Sequence, residues 1–187
     1  MSWSDKVGAL AGILAGVQVT DRASKPLDAD GGFALWFEEA CRVRKERRYC
    51  YLIGNGASAS MASHFAADVA KNGRIFTQVF TDPSLVTALG NDMGYEHVFA
   101  EPIRHRGQPG DLLIAISSSG KSPNVLNAVA AAREKGLFLV TLSAMDSQNP
   151  LRRSGDLNFW VDAKTYGNAE TSHATILHHW MDALVGD

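Results

Sequence analysis

The sequence predicts an α/β protein, a three-layer αβα sandwich in which helices cover both faces of a five-stranded parallel sheet. Three observations carry that expectation. Beyond residue 48, short apolar runs alternate with stretches of helical periodicity, two of the runs are apolar without a break, and glycine- and serine-rich segments fall where the runs end. Alternating strand and helix signals specify parallel strands joined by crossover helices, and a strand that is apolar throughout is one buried on both faces.

Taken in order, the elements begin with two helices in residues 1–48. The first is expected from about Val7 to Val19, and the second, amphipathic, from Phe33 to Arg48, with Phe33, Phe37, Ala40, Cys41 and Val43 near one face. A loop from about Ser24 to Gly32 separates them, on the strength of Pro26 and the Gly31-Gly32 pair. The basic end of the second helix, Arg42 to Arg48, complements the helix dipole and reads as a solvated face rather than a nucleic-acid patch. Strands follow at Tyr49–Ile53, Gln78–Phe80, Asp111–Ile116, Leu137–Leu142 and Leu157–Val161. Helices fill Ser58–Lys71, Tyr95–Arg106, Pro123–Glu134 and Ala169–Leu184. No internal repeat or low-complexity tract interrupts the pattern, and 187 residues that are 45% hydrophobic suit one domain, with residues 49–187 as its ligand-binding core.

Composition excludes several classes of function. Lys plus Arg number 18 against 20 Asp plus Glu, so no strong field draws the chain to nucleic acid. The apolar stretches fall short of the roughly 20 residues that cross a bilayer. Two cysteines, Cys41 and Cys50, and the absence of a secretory leader pattern at the start imply a reducing, cytoplasmic setting. Trp3, Trp36, Trp160 and Trp180 are expected in the core or between subunits.

In such folds ligands sit beyond the carboxyl ends of the strands. There, Gly54-Asn55-Gly56-Ala57-Ser58 joins a strand to a helix, where glycine allows close backbone approach and the helix start favours an anion. It lacks the spacing of a dinucleotide fingerprint and the lysine of a P-loop. After the Asp111–Ile116 strand comes Ser117-Ser118-Ser119-Gly120-Lys121-Ser122-Pro123-Asn124. Four hydroxyls beside a helix start make a cradle for a phosphate monoester. Capping with Pro123 at the first helical position would explain Ser122 alone, leaving Ser117, Ser118 and Ser119 to the phosphate.

These loops, with Gly90-Asn91-Asp92-Met93-Gly94-Tyr95, Ala131 to Gly136 and Thr141-Leu142-Ser143, resemble the SIS-domain sugar-phosphate isomerases, whose sheet is flavodoxin-like. Their order is most similar to that of the phosphoheptose isomerases, which act on sedoheptulose 7-phosphate. The resemblance implies an aldose–ketose isomerase, an intramolecular oxidoreductase working through an enediol. It implies phosphate binding by Ser117, Ser118, Ser119 and Ser122, with Asn55, Gly56, Ser58, Asp92 and Glu170 around the sugar. By the same resemblance Asp68 and His178 are the acid–base pair, and His64, Asp68, Glu170 and His178 match the zinc ligands of some members. A homotetramer, packed partly through the N-terminal helices, is also implied.

Helical spacing allows that grouping. His64 and Asp68 stand four apart on one face, and Glu170 and His178 lie within about 80° of each other at 3.6 residues per turn. The family usually carries Glu at Asp68, Gln at Glu170 and a segment rich in Arg and acids at Tyr166-Gly167-Asn168-Ala169; these departures bear on which heptose or hexose phosphate is taken. Two other readings stay open. One is a non-catalytic SIS module that binds a sugar phosphate or a protein such as the bacterial replication initiator, which would not need His64, Asp68 and His178. The other is a deamidating or lyase SIS enzyme, a type found in longer chains.

Overall fold

A computed structural model describes residues 2–186. Helix α1 (Trp3–Ala15) starts with a reciprocal cap in which Ser2 Oγ accepts from the Asp5 amide and the Asp5 carboxylate accepts from the Ser2 amide. The chain then departs from expectation. Strands β1 (Gln18–Asp21) and β2 (Pro26–Leu27) form an antiparallel hairpin where the end of a helix and a loop were predicted. Asp21 Oδ1 closes its turn by accepting from the amides of Ala23 and Lys25. Helix α2 (Ala29–Lys45) begins earlier than Phe33 because Asp28 caps it through the Gly31 amide. The Gly31-Gly32 pair therefore lies inside the first turn. Gly32 is small there for a reason: a Cβ would come 2.6 Å from Val19 Cγ1, so the glycine lets α2 lie against β1.

The remainder runs β3 (Tyr49–Gly54), α3 (Ala57–Lys71), β4 (Phe76–Gln78), α4 (Pro83–Met93), α5 (Ala100–Arg106), β5 (Leu112–Ser117), α6 (Pro123–Glu134), β6 (Phe138–Ala144), β7 (Leu157–Val161) and α7 (Tyr166–Val185). The expected helix over 95–106 is split into a 3₁₀ turn at Tyr95–His97 and α5. Helix α4 was not anticipated; Asp82 caps it and Pro83 opens it.

All of these strands join one sheet in the order β2-β1-β7-β6-β5-β3-β4. The five predicted strands are mutually parallel, and β1 adds to β7 in antiparallel fashion, pairing Val19 with Phe159. The sheet thus has seven strands, and the N-terminal region is built into it rather than being helices alone. On one face α2, α3 and α7 bury Trp36, Phe65, Val69, Leu177 and Trp180 against the strands; the other face buries Ile103, Val125 and Leu151 against Leu113 and Leu139. Trp36 and Trp180 stack with centroids 4.4 Å apart, and Trp160 is also buried, whereas Trp3 is 78% exposed. The chain leaves β3 toward β4 on one side and returns through β5, β6 and β7 on the other. Where the direction reverses, the loops after β3 and β5 diverge and open a crevice at the carboxyl ends of the strands.

Candidate active site

Both motif loops meet at that crevice. Gly54 at the end of β3 lets α3 fold back closely, since a Cβ there would come 2.6 Å from Ser58 Cβ, and Gly56 adopts φ +54°, a left-handed conformation suited to glycine. Helix α3 begins without a side-chain cap, so its first amides remain directed at the crevice. Across from it, the turn after β5 is shaped by Gly120, at φ +62° and packed on Asn149, where a Cβ would fall 1.9 Å from Oδ1. The amide of Gly120 donates to Ser117 Oγ and that of Lys121 to Ser119 Oγ.

Ser122 does not act as a side-chain cap. It occupies the cap position of α6 but makes no side-chain capping bond; its Oγ lies 3.3 Å from Ser117 Oγ instead. The hydroxyl is left available to the pocket.

A pocket of about 170 Å³ is lined by Asn55, Ser58, Ser117, Ser118, Ser119, Ser122, Ile116, Tyr166 and Glu170. Seven of the nine residues expected around the substrate therefore share one small concave site. Gly56 is in the adjoining turn but does not line it. Asp92 is not gathered in: it sits at the exposed end of α4 and accepts only from the Asn91 side chain. No lysine or arginine lines the pocket, and Lys121 turns away to an ion pair with Asp146 at 2.7 Å. An anion there would be held by hydroxyls, amides and the positive end of α6.

Asn124, which sequence reasoning did not single out, organises one wall. Its amide and that of Asn55 exchange two hydrogen bonds, both 2.9 Å, while Asn124 Oδ1 also accepts from the Val125 amide and Tyr95 Oη donates to Asn55 Oδ1 at 3.3 Å. With its carbonyl twice engaged, Asn55 presents an N–H rather than an acceptor to a ligand. The available signal was a polar residue at the first turn of a helix after Ser-Pro. Beyond this wall lies a second cavity of about 520 Å³ that shares Asn55 and Ser122. A crevice of about 560 Å³ opens at the opposite, amino end of the strands, but its Arg42 and Arg133 are already paired with Glu39, Glu46 and Asp156.

The proposed acid–base residues form a separate group between α3 and α7. His64 Nε2 is 3.4 Å from Asp68 Oδ2. The His64 and His178 rings face edge to plane at 5.9 Å, and His178 packs on Phe65 at 4.7 Å. From Glu170, at the pocket, to His178 is about 12 Å along the α7 axis. The donor types suit zinc, yet among the described residues no three His, Cys, Asp or Glu side chains are gathered closely enough to hold a metal ion. The four residues do not make a cage within one chain.

His173, three residues from Glu170, is fully buried, and neither ring nitrogen has a hydrogen-bond partner. Burial outweighs the opposing influence of the Ser143 backbone and lowers its pKa from 6.5 to about 4. Between those values the unfolded chain takes up a proton that the folded one refuses. Stability therefore falls as pH drops from 6.5 toward 4. Urea unfolding at pH 7.5 and 5 measures that loss, and His173→Leu should reduce it.

The comparisons agree with this geometry. Residues 39–144 match the SIS domain family. The chain is 35% identical over 174 residues to the phosphoheptose isomerase of Thiobacillus denitrificans, covering 87% of this chain and 88% of that protein. It is 37% identical over 139 residues to that of Laribacter hongkongensis, with 70% and 71% covered. The structure of phosphoheptose isomerase from Neisseria gonorrhoeae superposes with a TM-score of 0.79 at 28% identity, over 98% of this chain and 99% of that one. The one from Francisella tularensis shares the fold at a TM-score of 0.81 and 21% identity, over the whole of both chains. Two loops from the switch point of a parallel sheet, one rich in serine, and helices bearing His64, Asp68 and His178 are thus set in a chain that belongs to the SIS-domain family, in its phosphoheptose isomerase branch.

Proposed function

We propose that this protein interconverts sedoheptulose 7-phosphate and D-glycero-D-manno-heptose 7-phosphate in the cytoplasm. The observation that carries the reading is the Ser122 hydroxyl, freed from capping and turned toward Ser117 in a pocket of hydroxyls at a helix start. With the phosphate there and the open chain running along α7, the reacting carbons come to the His64, Asp68 and His178 group, about 12 Å away along the helix. The Asp68 carboxylate takes a proton from C1 while protonated His178 donates to O2, giving the enediol. The O1 proton then returns to His178 and Asp68 delivers its proton to C2, so both groups end as they began and the ketose has become an aldose.

Because Ser122 makes no cap bond, Ser122→Ala is expected to leave the unfolding midpoint unchanged while raising KM for sedoheptulose 7-phosphate about tenfold, the effect of one lost charge-assisted hydrogen bond. A lowered midpoint with unchanged KM would assign Ser122 to the helix instead.

The same reading includes a homotetramer. Helix α1 buries no residue, and Trp3, Val7 and, on α2, Leu35 stand exposed, the kind of apolar surface that a subunit interface covers. Light scattering should give the mass of four chains; a single-chain mass would exclude it. No helix among the described residues is long and apolar enough to cross a membrane.

A further inference from the structure

Two adjacent arginines after β6, Arg152 half-buried and Arg153 exposed, differ from the ion-paired Arg42 and Arg133. Arg42 and Arg133 each hold a carboxylate, whereas Arg152 and Arg153 pair with none among the described residues. Arg152 is nonetheless firmly held. Its guanidinium lies 4.2 Å over the Trp160 ring and donates to the Ser147 carbonyl and the Gln18 side chain. Arg153 donates to the Gln148 side chain. Burial, and the positive charge of Arg153 beside it, lower the Arg152 pKa from its ordinary value, the mark of a cation without a counter-ion.

These two side chains open on a pocket of about 150 Å³ whose other lining residues are Thr20, Ser24, Ser147 and Gln148; no acid lines it. Three hydroxyls and two guanidinium groups around a void with room for roughly five waters match a five-atom oxyanion in size, charge and hydrogen-bonding sense. We infer that this pocket is a second anion site, distinct from the serine pocket, and that it takes one inorganic phosphate dianion. It forms only because residues 18–27 fold as a hairpin against β7, which brings Thr20 and Ser24 to the arginines. The segment that lines it also reaches the serine loop, through the Asp146 ion pair with Lys121 and the Leu151 amide on the Gly120 carbonyl.

Titration calorimetry of the intact protein with inorganic phosphate at low salt tests the inference. The wild type should bind two phosphates per chain, and Ser119→Ala/Ser122→Ala should weaken one of them. Arg152→Gln/Arg153→Gln should abolish the other while leaving phosphate-free turnover of the sugar unchanged. Arg153→Gln alone, at an exposed side chain that does not support the fold, should weaken the second site about tenfold. The inference is overturned if the arginine variants, folded by circular dichroism, bind phosphate with the wild-type stoichiometry and affinity, or if the serine variant retains no phosphate at all. A failure of the serine pocket alone would appear as one phosphate in the wild type that the arginine variants lose.

Discussion

Asp68→Asn and His178→Ala proteins are expected to fold like the wild type and to isomerise sedoheptulose 7-phosphate about a thousandfold more slowly, with KM changed far less. The size follows from the worth of a positioned acid or base, and the split follows from placement, because both side chains belong to the α3–α7 group and neither lines the phosphate pocket. Asp68→Glu should retain turnover, since it keeps the carboxylate and only lengthens its stem. A coupled assay of aldose formation checks all three. If His178→Ala kept full activity, the imidazole would have no part in moving the proton and the non-catalytic reading would return.

The largest expected loss of stability lies under the same helix. Trp36 and Trp180 are buried and stacked at 4.4 Å, with Phe159 at 5.3 Å from Trp36, which ties α2 and α7 to the sheet. Trp36→Ala should cost about 3–5 kcal/mol, read from urea unfolding at fixed protein concentration. Trp36→Phe should be much milder, because the Trp36 indole N–H is buried without a partner and its removal gives up no hydrogen bond. Equal losses in the two variants would mean that the stack is not what holds α7 in place.

How much of this was legible in the sequence depended on how local the causes were. Strands β5 and β7 and helix α6 could be read closely because continuous apolar runs and the Ser-Pro start are local signals. The β1–β2 hairpin could not. Its strands hold four and two residues, only Val19 among them is buried, and its strand state comes from pairing with β7 far along the chain. Helix α4 has no fully buried residue, and Leu85, Val86 and Leu89 pack only partly against the core, so its short apolar stripe was a weak signal beside the Asp82-Pro83 start. At the site, the serines announced themselves as a run at a strand end. Asn124 did not, because its role exists only once Asn55 arrives from 69 residues away. Asp92 was placed near the sugar from its motif, yet it lies on the outer end of α4, where one chain does not bring it to the pocket.

The central claim is that a hydroxyl pocket anchors the phosphate while Asp68 and His178 work at the far end of the sugar. A crystal structure of the Asp68→Asn protein with sedoheptulose 7-phosphate tests it most directly. The account predicts the phosphate within hydrogen-bonding reach of Ser119 and Ser122, and C1 and C2 between residue 68 and His178. A phosphate bound away from the serine loop, or a sugar whose C1–C2 end points away from α3 and α7, would contradict it.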